Sequence, residues 1–244
     1  MKLKIREGVF NLNRGVFITG TDTDVGKTIV TAGLVHVLRL NGIDSCSFKA
    51  VLSGGIEENG SLIPGDTKLV KEVCNIDEEY GLMNPYCLKT PVSPHLAARL
   101  EGVEIHRERI LDSYKRLAEK YEFIVAEGAG GIVVPIIGRN YFVYDLIKDL
   151  ELPVIIVGRA GVGTINHTVL TVKFAEGLGL DVKGIIINRA TDEIHVKDNI
   201  ETIKDISKKE ILAVIDDLKD FQSENFKALK LEFQKKIDLD KIIR

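Results

Sequence analysis

The sequence predicts an α/β fold with a mainly parallel sheet assembled from βα units. Short β-branched runs alternate with longer segments of helical period, and most runs are apolar throughout, as strands covered on both faces must be. In addition, the first run passes through a glycine-bearing loop straight into a helical segment.

In chain order the strands fall at residues 16–19, 45–49, 123–126, 154–157, 184–187 and 211–215, joined by right-handed crossovers. The helix at 27–40 turns Ile29, Val30, Leu34, Val37 and Leu38 inward, and Asn41-Gly42 supplies its stop. Ser93 as N-cap before Pro94 opens a helix at 94–100. A helix at 107–121 buries Ile110, Leu111, Tyr114, Leu117 and Ala118, and another spans 164–178. Residues 50–65, rich in Gly, Ser, Asn and Glu and lacking a period, are expected to form a mobile functional loop. From Glu201 onward basic and acidic residues are equal in number, which predicts a solvated helical tail.

The 244 residues are 45% hydrophobic and 28% charged, a composition that excludes disordered, collagenous and disulfide-scaffold classes. A net charge of −3 gives no global attraction to nucleic acid or an anionic membrane, so any anion site must be local. Cys46, Cys74 and Cys87 stand singly, as free thiols in a reducing compartment do. No segment reaches the ~20 apolar residues of a membrane span, and residues 1–15 lack a signal-peptide core. The expectation is one cytoplasmic domain over residues 1–244, with a leader at 1–14.

After the first strand comes Gly20-Thr21-Asp22-Thr23-Asp24-Val25-Gly26-Lys27-Thr28, a phosphate-binding loop. Glycines let backbone N–H groups turn toward phosphate oxygens, the helix N-terminus adds positive potential, Lys27 reaches terminal phosphates, and the Thr28 hydroxyl suits Mg²⁺. Five residues separate Gly20 from Gly26, where the common pattern has four. Asp22 stands where partition-type ATPases place a second lysine, and the base-reading NKxD of GTPases is absent. Nucleotide-bound Mg²⁺ needs further oxygen ligands, and Glu127, ending an apolar strand before Gly128-Ala129-Gly130-Gly131, is a candidate. Asp66, after Pro64-Gly65, has the context of a helix N-cap more than of a metal ligand. Lys49 ends the second strand, which usually lies near the first, where a cation would face bound phosphate, although a strand-end lysine by itself is more often solvated.

In this order, GTDTDVGKT, FKAVLSG, PGD, NPYCLKTPVSPH, AEGAGG, GTINHTVLT and IIINRA closely resemble the dethiobiotin synthetase family, from about Val16 to Ala190. The resemblance implies a doubly wound α/β fold, P-loop nucleoside triphosphate hydrolase-like, and a homodimer. It also implies the reaction: 7,8-diaminononanoate, CO₂ or bicarbonate and MgATP give dethiobiotin, ADP and phosphate. Carried over, Asp24, Val25, Gly26, Lys27, Thr28, Ile29 and Asn188 bind the nucleotide, Asn188 reading adenine. Thr28, Asp66 and Glu127 hold Mg²⁺, and Lys27 and Lys49 flank the γ-phosphate and the substrate carbamate. Thr23, Lys49 and Ser53 meet the diamine end, while Gly163, Thr164 and Asn166 bind the substrate carboxylate from the partner subunit.

Two departures stand out. Ala50 replaces a usual Pro and is expected to loosen its loop. Ala213-Val214-Ile215-Asp216 replaces Gly-x-Ile-Pro, leaving strict adenine preference open and making 216–244 a divergent tail. His95 and His167 are expected to pack or cap. The nearest rival, the synthetase half of a corrin-ring amidotransferase, would add a glutaminase Cys and His, which nothing after Asn188 supplies. A nucleotide switch that only controls partner binding would have no need of Lys49 and the Ser53 loop.

Overall fold

The computed structural model describes residues 15–243, so the expected leader at 1–14 lies outside the described residues. The chain runs β1 (Gly15–Gly20), α1 (Lys27–Leu40), β2 (Ser45–Lys49), β3 (Val51–Ser53), β4 (Ile56–Glu58), β5 (Ser61–Ile63), α2 (Gly65–Cys74), α3 (Tyr80–Met83), β6 (Tyr86–Leu88), α4 (Pro94–Glu101) and α5 (Arg107–Lys120). It continues through β7 (Phe123–Gly131), β8 (Pro135–Ile137), β9 (Tyr141–Phe142), α6 (Val143–Leu150), β10 (Val154–Arg159), α7 (Thr164–Gly177), β11 (Val182–Ala190), α8 (Ile194–Ser207), β12 (Ile211–Asp216), α9 (Ser223–Lys236) and α10 (Leu239–Ile243).

Six strands form one sheet in the order β12-β11-β10-β1-β7-β2, every pairing parallel. The chain winds from β1 outward to β2, returns to β7 and then crosses to β10, so the sheet is doubly wound with the phosphate loop near its middle. Val16, Phe17, Ile18, Ile155, Ile156 and Ile186 are fully buried, as central strands covered on both faces require. The second strand lies near the first with one strand, β7, between them. Crossovers make parallel neighbours from strands far apart in sequence, which strand-by-strand pattern cannot foresee.

The stretch at 50–65 is structured. β3 pairs parallel with β6, and β4 and β5 form an antiparallel hairpin with Ile56 opposite Ile63. Its turn is Asn59-Gly60, both at positive φ (50° and 77°), the geometry that favours Asn-Gly in two-residue hairpins. Ala50, in place of the usual Pro, is buried at the junction of β2 and β3. Ser93 occupies the N-cap position of α4, but its side chain makes no capping hydrogen bond.

The tail corrects a further expectation. Asp216 closes β12, and α9 lies against α1 with Phe226, Leu229 and Phe233 buried. Phe233 sits so close to Gly33 that a Cβ there would fall 2.2 Å from its ring. Charged residues stay on the outer face of α9 with Leu231, while Leu229 and Phe233 turn inward. Phe233→Ala is therefore expected to destabilise the protein by about 3–5 kcal/mol in chemical denaturation. A solvated tail would cost no more than about 0.5 kcal/mol.

Candidate active site

β1 delivers the chain into the loop at 21–26, and α1 begins at Lys27. Gly26, at the N-cap, has φ 93°, which a side chain rarely adopts. Lys27 is buried and donates from Nζ to the Asp22 carbonyl at 3.0 Å. Burial, reinforced by the nearby charge of Lys49, brings the Lys27 ammonium down to about 8. The Asp22 carboxylate serves the loop itself, accepting the Thr23 N–H at 2.7 Å.

β2 and β7 run in register, placing Lys49 directly opposite Glu127, while β7 also sets Glu127 beside Ile18 of β1. Lys49 Nζ donates to Glu127 Oε1 at 2.6 Å and lies 2.6 Å from Asp66 Oδ2, in the first turn of α2. The Thr28 hydroxyl donates to the same Glu127 oxygen at 3.0 Å. Burial alone would discharge Lys49, but the two carboxylates outweigh it and hold the ammonium above its ordinary pKa. Burial would likewise raise Asp66, yet Lys49 and a hydrogen bond from Thr28 bring it below the usual carboxylate range. Asp66 is thus not an N-cap: Pro64 holds that position, and the carboxylate faces Lys49.

Thr23, Asp24, Gly26, Lys27, Thr28, Lys49, Ser53, Asp66 and Glu127 line one cavity of about 300 Å³. Val25 and Thr164 line an adjoining cavity of about 390 Å³, together with Thr23 and His167. Ile29 packs against the core. Gly163 and Asn166, at the exposed start of α7, line neither cavity. Asn188 is buried under the loop, and its Nδ2 donates to the Val25 carbonyl at 3.0 Å. The left-handed conformation that a strand-end Asn could adopt belongs instead to Arg189.

Two residues escaped the sequence reading. Arg189 lines the loop cavity. Asn84, buried, donates from Nδ2 to the Lys49 carbonyl at 2.6 Å and so pins the strand end that carries the ammonium. The only advance signal for Asn84 was its place in the quoted NPY run. For a cation, the hard oxygens of Thr28, Asp66 and Glu127 are the donor type that Mg²⁺ selects. Among the described residues no three or more His, Cys, Asp or Glu gather as a metal site, and Asp66 and Glu127 are both engaged by Lys49.

The family model for an AAA domain matches residues 14–225. A protein of Clostridium kluyveri named ATP-dependent dethiobiotin synthetase BioD is 49% identical over 234 residues, 95% of this chain and 97% of that protein. The protein of the same name from Clostridium novyi is 47% identical, with 94% and 96% covered, and that of Methanococcus vannielii 41%, with 84% and 95%. Among solved structures, a ParA family ATPase from Chlorobium tepidum TLS aligns at TM-score 0.59 and 13% identity over 91% of this chain and 98% of that one. The septum site-determining protein MinD from Pyrococcus horikoshii OT3, complexed with Mg-ADP, aligns at TM-score 0.55 and 18% identity over 91% and 93%. At such identities these two establish the fold.

Proposed function

The chain belongs to the ATP-dependent dethiobiotin synthetase family, and on that footing we propose how its residues carry out the ATP-dependent ring closure of 7,8-diaminononanoate with CO₂. The observation that carries the assignment is the Lys49 ammonium, buried and held charged by Asp66 and Glu127 at the wall of the phosphate-loop cavity. No protein nucleophile is needed. One substrate amine adds to CO₂ and loses a proton, giving a carbamate. The carbamate oxygen attacks the γ-phosphorus in line, and the bond to ADP breaks. The second amine then attacks the carbonyl carbon of the mixed anhydride, phosphate leaves, and the ring is closed.

The protein's part is to position groups and offset charge. Lys27 and Lys49 neutralise a carbamate approaching a triphosphate, and the hydroxyls of Thr23 and Ser53 hold the diamine end. Thr28, Asp66 and Glu127 would hold Mg²⁺, which when bound adds positive charge beside the transferred phosphoryl group. Gly26 and its neighbours supply backbone donors to the phosphates, and Asn188 serves the base end. The substrate carboxylate meets the α7 N-terminus, at 163–166, of a second copy. The exposed Val162, Leu170 and Phe174 on and beside α7 support this arrangement. Residues 15–243 act as one synthetase domain. A cytoplasmic setting is consistent with the absence, among the described residues, of any helix long and apolar enough to cross a membrane.

Phosphate release is expected to require both the diamine and bicarbonate. Hydrolysis independent of the diamine and governed by a protein partner would overturn the mechanism. A competition assay reads the base end: ATP is expected to be turned over ahead of GTP, and equal turnover would remove the base-reading role of Asn188.

A further inference from the structure

The ladder between β11 and β12 slips near its end: Ile187 pairs with Val214, but Ala190 pairs with Asp216, so β11 carries one extra residue there. A bulge of this kind re-aims a side chain. Arg189 lies in it with φ 55°, a left-handed conformation that disfavours any residue with a Cβ. Such a conformation persists only where the surroundings over-determine it. Here both flanks are tied down. Asn188 accepts the Ala160 N–H at 2.9 Å and anchors its side chain on Val25, while the Ala190 carbonyl accepts the Asp217 N–H at 3.0 Å.

Arg189 lines the phosphate-loop cavity and also a neighbouring cavity of about 290 Å³ whose other charged residues are Arg159, Glu193 and Asp217. Among the described residues no carboxylate forms an ion pair with Arg189. The charge balance of the loop cavity gives that guanidinium a purpose. Asp24, Asp66 and Glu127 line the cavity against Lys27, Lys49 and Arg189, and Lys49 is already engaged by two of the carboxylates. Without Arg189 the lining side chains would count three carboxylates against two ammoniums, a balance unfavourable to a polyphosphate that arrives without its cation.

We propose that Arg189 is a nucleotide-binding residue whose guanidinium grips the phosphate chain of ATP between the loop cavity and its neighbour. The inference rests on the loop cavity being the ATP site. A planar guanidinium matches phosphate oxygens bidentately, and a bulge with both flanks anchored holds it ready at little ordering cost.

The test is calorimetric titration of the full chain with ATP and with inorganic tripolyphosphate, for wild type, Arg189→Ala, Arg189→Lys and Arg189→Gly. Both ligands are expected to bind about tenfold more weakly to the Ala and Gly variants, with part of the loss recovered by Lys. Arg189→Gly is also expected to raise the thermal midpoint of the nucleotide-free protein, because Gly accepts the left-handed backbone freely. A purely structural arginine would not couple greater stability to weaker binding. In turnover, KM for ATP is expected to rise by a larger factor than kcat falls. Unchanged tripolyphosphate affinity in the Ala and Gly variants would overturn the proposal, including the case in which ATP alone weakens and the guanidinium serves the base or ribose. The titrations contain neither diamine nor bicarbonate. Tight ATP binding without diamine-dependent phosphate release would therefore refute the synthetase mechanism and leave Arg189 standing.

Discussion

Lys49→Ala is expected to lower turnover about a thousand-fold while ATP affinity changes only a few-fold, a split read by comparing single-turnover phosphate release with nucleotide titration. The ammonium is buried between Asp66 and Glu127, while Gly26, Lys27 and the backbone N–H groups at the α1 N-terminus remain to bind the phosphates. What disappears is the charge beside the carbamate and the γ-phosphate as they approach. Equal losses in binding and turnover would refute this transition-state role. The substitution has a second consequence, because two carboxylates then face one another across the cavity with no cation. The nucleotide-free variant is expected to unfold at lower temperature in metal-free buffer and to regain much of the loss in millimolar Mg²⁺. Lys49→Met, which keeps the aliphatic stem, separates the missing charge from the missing packing.

Gly26→Ala is expected to weaken ATP binding about a hundred-fold or more. The added Cβ would lie 1.9 Å from Asn188 Nδ2, a buried amide already committed to the Val25 carbonyl, and the backbone is at φ 93°. Neither neighbour yields easily, so the loop must shift and its N–H groups lose their aim at the phosphates. Gly42→Ala is the control for backbone strain, since Gly42 has φ 81° and open space around it. That variant is expected to lose about 1 kcal/mol of stability with ATP affinity intact. Wild-type ATP binding by Gly26→Ala would show that Asn188 does not brace the loop.

The fold was legible where local pattern is strong. The six sheet strands and the long helix after the loop were placed to within a few residues, because apolar runs and helical period are properties of consecutive residues. The three-residue strands at 51–63 were not, since so few positions establish no alternation, although Asn59-Gly60 was a hairpin signal passed over. In the tail, charge count hid Leu229 and Phe233, whose i, i+4 spacing already described an inner face, while Phe226 enters the core from a non-helical turn. For the site, the loop residues were fully readable, and Lys49, Asp66 and Glu127 became candidates through strand-end position and resemblance. Arg189 was not readable, because a bulge depends on the register between two strands.

The sequence by itself determined the strand-loop-helix unit, its phosphate chemistry and the family, because these depend on residue type and on neighbours along the chain. Only the tertiary structure decided that β7 lies between β1 and β2, which sets Lys49 opposite Glu127 and brings both within reach of Asp66 and Thr28. The physical reason is that charge neutralisation acts over a few ångströms of space. Residues separated by tens of positions in sequence come that close only through strand order and register.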